Sequence, residues 1–202
     1  YLKIYNSLAI VDNNLNIINY YHKNNLVPFG EFLPMENFLR RIGLKTITNN
    51  YQSFSKGRER KIISIKNQNF DLSFLPLICY EIIYSGKLKK TNNFDFIINI
   101  SEDGWFGNSI GPRQHFAHSI FRAVEEGKNI IRSTNNGISA YIDSKGNIID
   151  KIESTQSGVL EIRNFKNNKE TFFSKNGNNI FFYFLLFYIT LIFFLKINRE
   201  IK

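Results

Sequence analysis

Cysteine is nearly absent from this sequence. One residue, Cys79, stands in a chain of 202, which excludes an internal disulfide framework and any multi-cysteine zinc site. Proline is also scarce, with four residues beside twelve glycines, so collagen-like and proline-rich linker architectures are excluded. Acidic residues run short of basic ones, 17 against 26. No basic stretch followed by a short apolar run opens the chain at Tyr1, so no cleavable signal peptide is expected within it. The basic residues are dispersed, without an RNA-binding aromatic motif or a helix-turn-helix pattern, so no nucleic-acid partner is expected.

What is present is apolar. Hydrophobic residues make up 43% of the chain, enough for a folded core. The run from Ile180 to Leu195 carries no charge over sixteen residues. About 18 helical residues span roughly 27 Å, close to the hydrocarbon thickness of a bilayer. A transmembrane helix is therefore expected over 179–197, with Lys196, Arg199 and Lys202 at headgroup level. A core helix of a soluble protein is seldom apolar on every face. Residues 198–202 then form a cytoplasmic tail, and the polar, Lys/Asn-rich residues 166–178 read as a linker.

Residues 1–165 read as an α/β domain. Strands are expected at Leu8–Val11, Ile17–His22, Ile62–Ile65, Phe74–Cys79, Phe94–Ile100, Ile130–Ser133, Ile138–Ile142, Ile148–Ile152 and Gly158–Ile162. Asn/Gly/Asp-rich turns at 12–16, 66–69 and 144–147 suggest hairpins. Helical spacing of Phe116, Ile120, Ala123 and Val124 predicts a helix over Gln114–Lys128, and a shorter one follows Pro34 over Met35–Ile42. Long apolar strands separated by helices suggest a layered sandwich.

Three blocks could carry chemistry. Cys79 ends an apolar strand in LPLICYEI, a place that suits a presented nucleophile and equally a buried structural thiol. Lys23 and Glu31 lie in YHKNNLVPFGEFLP, where Pro28, Gly30 and Pro34 stiffen a loop. An ammonium beside a thiol favours the thiolate and can stabilise an oxyanion; a surface lysine and glutamate are the plainer reading. The third block, NISEDGWFGNSIGPRQH, is a strand, a Gly-rich loop with the lone Trp105, and a helix start. His115 and His118 share a helix face, but no third ligand stands at a recognised spacing for a metal. A Cys–His hydrolase using Cys79 with one of these histidines is an alternative.

In this order, YHKNNLVPFGEFLP, ICYE, INISEDGWFGNSIGPRQH and IRSTNNGISAYID resemble the C-terminal part of the apolipoprotein N-acyltransferase family, within the nitrilase (carbon-nitrogen hydrolase) superfamily. The resemblance implies a four-layer αββα sandwich, here N-terminally incomplete, followed by one membrane helix. It implies a catalytic Cys79, Lys23 as the catalytic lysine and Glu31 as a supporting glutamate. Tyr80, Glu81 and Trp105 correspond to substrate-binding positions. The implied partners are a phospholipid acyl donor, a diacylglyceryl apolipoprotein acceptor and the membrane; neither metal nor cofactor is implied, because the donor is already an activated ester. The implied location is the bacterial inner membrane, with the α/β domain periplasmic. The family's first catalytic glutamate has no match, since Glu31 is the first glutamate in the chain. The chain is accordingly expected to be a fragment, inactive alone unless a separately encoded N-terminal part completes it. The alternatives are a nitrilase-type amidase and a non-catalytic, membrane-anchored remnant.

Overall fold

The computed structural model describes residues 3–43, 53–67, 70–86, 88, 93–162 and 170–200. Two sheets and a long helix form the α/β part. Strands β1 (Ser7–Val11) and β2 (Ile17–His22) pair antiparallel as a two-stranded sheet. The other strands are β3 (Ile63–Asn67), β4 (Phe70–Ile78), β5 (Phe96–Glu102), β6 (Asn129–Asn135), β7 (Ser139–Ile142) and β8 (Ile148–Ile152). They form a mixed six-stranded sheet in sequence order, in which β4, β5 and β6 are parallel and the outer pairs antiparallel. Helix α1 spans Glu36–Arg41, and helix α2 (Gly111–Glu126) is the crossover from β5 to β6, with proline in its first turn. Proline there costs nothing, because the first N–H groups of a helix have no partner within it.

Side-chain alternation divides the central strands between two cores. Phe74, Ile78 and Phe96 pack with Leu8 and Tyr21 of the hairpin sheet. Leu75, Leu77, Ile97, Ile130, Ala140 and Ile142 face the other way, against Phe116 and Ala123 of α2. The described residues thus stack hairpin sheet, six-stranded sheet and helix in a nitrilase-like α/β fold. Ile120 packs on the α2 core as its spacing predicts, but Val124 is exposed.

The expected strand at Gly158–Ile162 does not form; the segment pairs with no strand and Val159 is 92% exposed. Extended residues become a strand only when a neighbour takes their hydrogen bonds. The expected linker contains a short helix, α3 (Phe172–Asn176), capped by the Thr171 side chain accepting from the Ser174 N–H. Residues 166–169 of that linker lie outside the described residues. Helix α4 (Asn179–Glu200) follows. Its segment Asn179–Ile197 is long and apolar enough to cross a membrane, with mean hydropathy 2.4 and no part of the window buried.

Candidate active site

Strand β4 ends at Ile78, and the chain turns at once into a 3₁₀ turn, Cys79–Ile83. Cys79 sits at the corner with φ +51°, a left-handed conformation that costs a non-glycine residue on the order of 1 kcal/mol or more. Its thiol is free and half-buried. The corner therefore has to be held, and Glu81 holds it. This side chain is fully buried. Its Oε2 accepts from the Ile78 N–H at 2.9 Å, reaching back across the start of the turn. Its Oε1 accepts from Tyr21 Oη at 2.8 Å and from the backbone N–H groups of Asn24 and Asn25 at 3.0 and 2.9 Å. Arg60 lies 3.6 Å away. Burial, with the charge of Glu81 next, pushes the Tyr21 phenol well above its ordinary range.

Glu81 was expected to bind substrate. It lines neither of the two hollows at Cys79, and its oxygens are already engaged. It ties the Cys79 corner to the segment that follows β2, and that segment begins with Lys23.

Lys23 is 1% exposed, and its Nζ lies 2.8 Å from Glu31 Oε2. That contact is an ion pair without an aligned hydrogen bond, and no other acceptor meets Nζ among the described residues. At least two ammonium protons are thus left for a ligand. Glu31 is itself fixed: Oε1 accepts from Asn6 Nδ2 at 2.8 Å and Oε2 from the Val27 N–H at 2.9 Å. It orients Lys23 rather than offering a free carboxylate. The Lys23 carbonyl accepts from the Gly57 N–H at 2.9 Å. Only glycine fits at 57, since a Cβ there would come within 2.2 Å of the His22 carbonyl oxygen.

Cys79, Lys23, Glu31, Tyr80 and Trp105 line one hollow of about 730 Å³, with Val27, Phe54 and Phe106 supplying apolar wall. A second hollow of about 490 Å³ also reaches Cys79, lined by Ser101, Ser133 and Thr134 among others. Trp105 borders both, on the 3₁₀ turn Gly104–Phe106, and is 63% exposed. A larger, polar groove of about 1120 Å³ lies beside loop 104–113 and contains neither Cys79 nor Lys23. Volume alone would favour that groove, but of these three hollows only the one of about 730 Å³ brings the Cys79 thiol and the buried Lys23 ammonium together.

Two features were not legible in the sequence. Glu102, at the end of β5, borders both hollows, but its oxygens accept from the Gly104 N–H at 2.8 Å and from Asn135 Nδ2 at 2.6 Å. Among the described residues no side chain is hydrogen-bonded to the Cys79 sulfur. The second feature is a buried polar cluster between the sheet and α2. Leu77, Asn99 and Arg132 are cross-strand neighbours on β4, β5 and β6. Asn99 Nδ2 donates to the carbonyls of Leu77 and Cys79, at 3.2 and 3.4 Å, and its Oδ1 accepts from Arg132 Nη1. Arg132 Nη2 donates to Asp103 Oδ2 at 2.7 Å. Asp103 Oδ1 accepts from Ser101 Oγ at 2.7 Å and faces His115 Nδ1 at 2.9 Å.

Because a carboxylate only accepts, Nδ1 of His115 carries the proton in that bond, and the 3.2 Å approach of Arg132 Nη2 to the same nitrogen is proximity. His115 Nδ1 is thus committed to Asp103, and among the described residues its Nε2 meets no partner, Cys79 included. His118 lies on the same helix; burial and the charges of Arg122 and His115 pull its imidazole below the ordinary value. Burial pushes Asp103 up, but His115, Arg132 and Ser101 together outweigh it and hold the carboxyl below 3.8.

The carbon-nitrogen hydrolase family model matches residues 2–163. The apolipoprotein N-acyltransferase of Rhizobium rhizogenes is 37% identical over 160 residues, covering 79% of this chain and 30% of the relative. That of Wigglesworthia glossinidia brevipalpis is 37% identical over 204 residues, covering 96% of this chain and 39% of the relative. The chain spans about a third of the length of these relatives. Among solved structures, the glutamine-dependent NAD+ synthetase from Acinetobacter baumannii superposes with a TM-score of 0.52 at 20% identity, covering 76% of this chain and 27% of that one. This is a likeness of fold.

Proposed function

Since the chain belongs to the carbon-nitrogen hydrolase family, we propose that it carries the thiol half of an apolipoprotein N-acyltransferase site. In this reading Cys79 takes a fatty acyl group from a phospholipid and passes it to the amine of a diacylglyceryl-cysteine at the start of an apolipoprotein. The observation that carries the reading is the single apolar-walled hollow onto which Cys79 and the buried Lys23 both open. A buried cation beside a nucleophile suits acyl transfer, and the apolar wall suits an acyl chain.

The chemistry divides into two steps. The Cys79 sulfur adds to the ester carbonyl; the carbon–sulfur bond forms, the ester carbon–oxygen bond breaks, and the departing lysophospholipid oxygen takes a proton. The acceptor amine then adds to the thioester; the carbon–nitrogen bond forms, the carbon–sulfur bond breaks, and the thiol regains its proton. Lys23, with its unused N–H groups, stabilises the oxyanion in both steps, and Glu31 keeps the ammonium aimed. The thiol proton needs an acceptor. No side chain is hydrogen-bonded to the sulfur among the described residues, and the resemblance assigns the role of base to the family's first glutamate, which has no match in this chain.

Helix α4 supports a membrane location, because both substrates are lipids and an anchor keeps the site among them. The reading places the chain in the bacterial inner membrane with the α/β domain on the periplasmic side. The test is intact-protein and peptide mass spectrometry of the chain purified from membranes and incubated with phosphatidylethanolamine vesicles. A hydroxylamine-sensitive fatty-acyl mass on the Cys79 peptide, missing in Cys79→Ala, is the expected result. A chain whose Cys79 reacts with iodoacetamide but never acquires an acyl group, in the presence of the remaining length of the enzyme, would overturn it.

A further inference from the structure

An arginine in a sheet interior needs a reason. Alternation along β5 and β6 puts Ile97 and Ile130 in the core facing α2, and two residues further along each strand the same face carries Asn99 and Arg132. Both are at most 1% exposed. Burying a guanidinium costs several kcal/mol unless it is paired and hydrogen-bonded. An aliphatic pair at these positions would fill the core without that cost, so the charge has a use other than packing.

Its connections show where that use lies. Arg132 spends one arm on Asp103 and the other on the Asn99 amide oxygen, so the amide is turned with its N–H groups toward β4. Those groups meet the Leu77 and Cys79 carbonyls, one on each side of the point where the backbone swings into its positive-φ corner. Asp103 is fixed in turn by Ser101 and His115. Gly137 packs so closely on it that a Cβ there would come within 2.3 Å of Oδ2. We propose that Arg132 is a positioning residue for the nucleophile: through Asn99 it holds the Cys79 backbone in its strained corner, and its guanidinium supplies a fixed positive charge that favours the thiolate.

The electrostatics agree with the geometry. Burial lowers Arg132 from its ordinary guanidinium value, while the charges of Asp103 and of Cys79 pull the other way. Lys23 and Glu31, from the segment after β2, and Glu102, from the end of β5, border the same hollows as Cys79. Asp103 and His115 face Arg132 itself. Lys23 and Arg132 thus reach the nucleophile from opposite sides of its strand end, the first through the open hollow and the second through the closed core.

The inference rests on Cys79 being the nucleophile, but its test reads the thiol directly and needs no acyl donor. Because Cys79 is the sole cysteine, every alkylation event reports on it. The rate of iodoacetamide alkylation of the full chain in detergent is measured against pH, with a thermal melt confirming the folded state. Arg132→Met slows alkylation about tenfold at pH 7 and moves the profile to higher pH by about one unit. Arg132→Lys, which keeps the charge but loses the two-armed bridge, restores most of the profile's position. Asp103→Asn removes the neutralising charge and moves the profile to lower pH.

A purely structural role would slow alkylation in all three without opposite shifts. Superimposable profiles for wild type and Arg132→Met, or shifts of the same sign in Arg132→Met and Asp103→Asn, overturn the proposal. Should Arg132→Met fail to fold, Asp103→Asn decides alone: anything but a shift to lower pH overturns it. Normal alkylation behaviour together with no acyl-enzyme would sink the acyltransferase reading and leave this inference standing.

Discussion

Two charged clusters flank Cys79, and they differ in access. On the sheet side, Asp103 accepts from Ser101 and Arg132 and pairs with His115; Arg132 Nε and His115 Nε2 meet no partner among the described residues, but neither residue lines the hollows at Cys79. On the hollow side, Glu31 is held by Asn6, Val27 and Lys23, and among the described residues the buried Lys23 ammonium is left with N–H groups unspent. Buried donors are normally satisfied. An unspent donor costs stability, and here it faces a hollow that also contains the Cys79 thiol. The closed cluster has the pattern of support, and the open one that of a binding site waiting for an oxyanion.

The comparison breaks most readily at Lys23. Lys23→Met keeps the side chain's length and removes the charge. It should reduce thioester formation on Cys79 by a hundredfold or more, in line with the roughly 10²–10³ lost with an oxyanion donor. The thermal melt should also fall, because removing one partner of a buried ion pair leaves Glu31 uncompensated. A fall in stability with acylation intact would show that Lys23 belongs with the supporting cluster.

Glu81 comes next. Glu81→Gln keeps the shape but replaces an acceptor oxygen with an amide that meets N–H groups head-on. The expected loss is about 2–3 kcal/mol, from hydrogen bonds to a charged group and donors left unpaired. Chemical denaturation should show it directly. Acylation per folded molecule should also drop, since the segment carrying Lys23 is fixed through this carboxylate.

The smallest effect sharpens the other side. Asp103 is held below its ordinary value of 3.8 in the folded chain. A depressed carboxylate stabilises the fold fully above its unfolded value, and that contribution disappears as pH falls through the folded value. Melting temperatures should therefore fall below about pH 4 in the wild type, and that limb should flatten in Asp103→Asn. An unchanged limb would mean the cluster does not hold its charge as the geometry indicates.

Much of this could be read from the residues alone. Eight of the strands announced themselves through apolar runs bounded by Asn, Asp and Gly, and the ends moved by a few residues. The segment at Gly158–Ile162 had the alternation of a strand but no partner, and a sequence does not display partnership. Helix α3 has five residues, too few to stand on intrinsic preference; it exists because Thr171 caps it and because Ser174 bonds Glu126 of α2 at 2.8 Å.

At the site, the motif blocks brought Cys79, Lys23, Glu31, Tyr80 and Trp105 to one hollow. Glu81 went elsewhere because its buried donors come from residues more than fifty positions away. The Asn99–Arg132 bridge needed the register of parallel strands, which no local pattern encodes. A faint trace existed, a lone asparagine between isoleucines in Ile98-Asn99-Ile100.

The seam between α3 and the rest has a mechanical meaning. Gly177 takes φ +54° and packs so tightly on the loop after the nucleophile turn that a Cβ would lie 2.6 Å from the Gly86 carbonyl oxygen. The Thr171 hydroxyl is hydrogen-bonded to the Glu125 carbonyl, and Asn178 Nδ2 reaches the Ser85 carbonyl at 3.4 Å. Helix α4 therefore leaves the domain from a bolted flange instead of a loose leash. In a bilayer, such a mounting turns a tether into a bearing. With α4 spanning a bilayer, the mouth of the hollow would keep one height and one heading while the molecule drifts, and a search through three dimensions would become a glide within a plane.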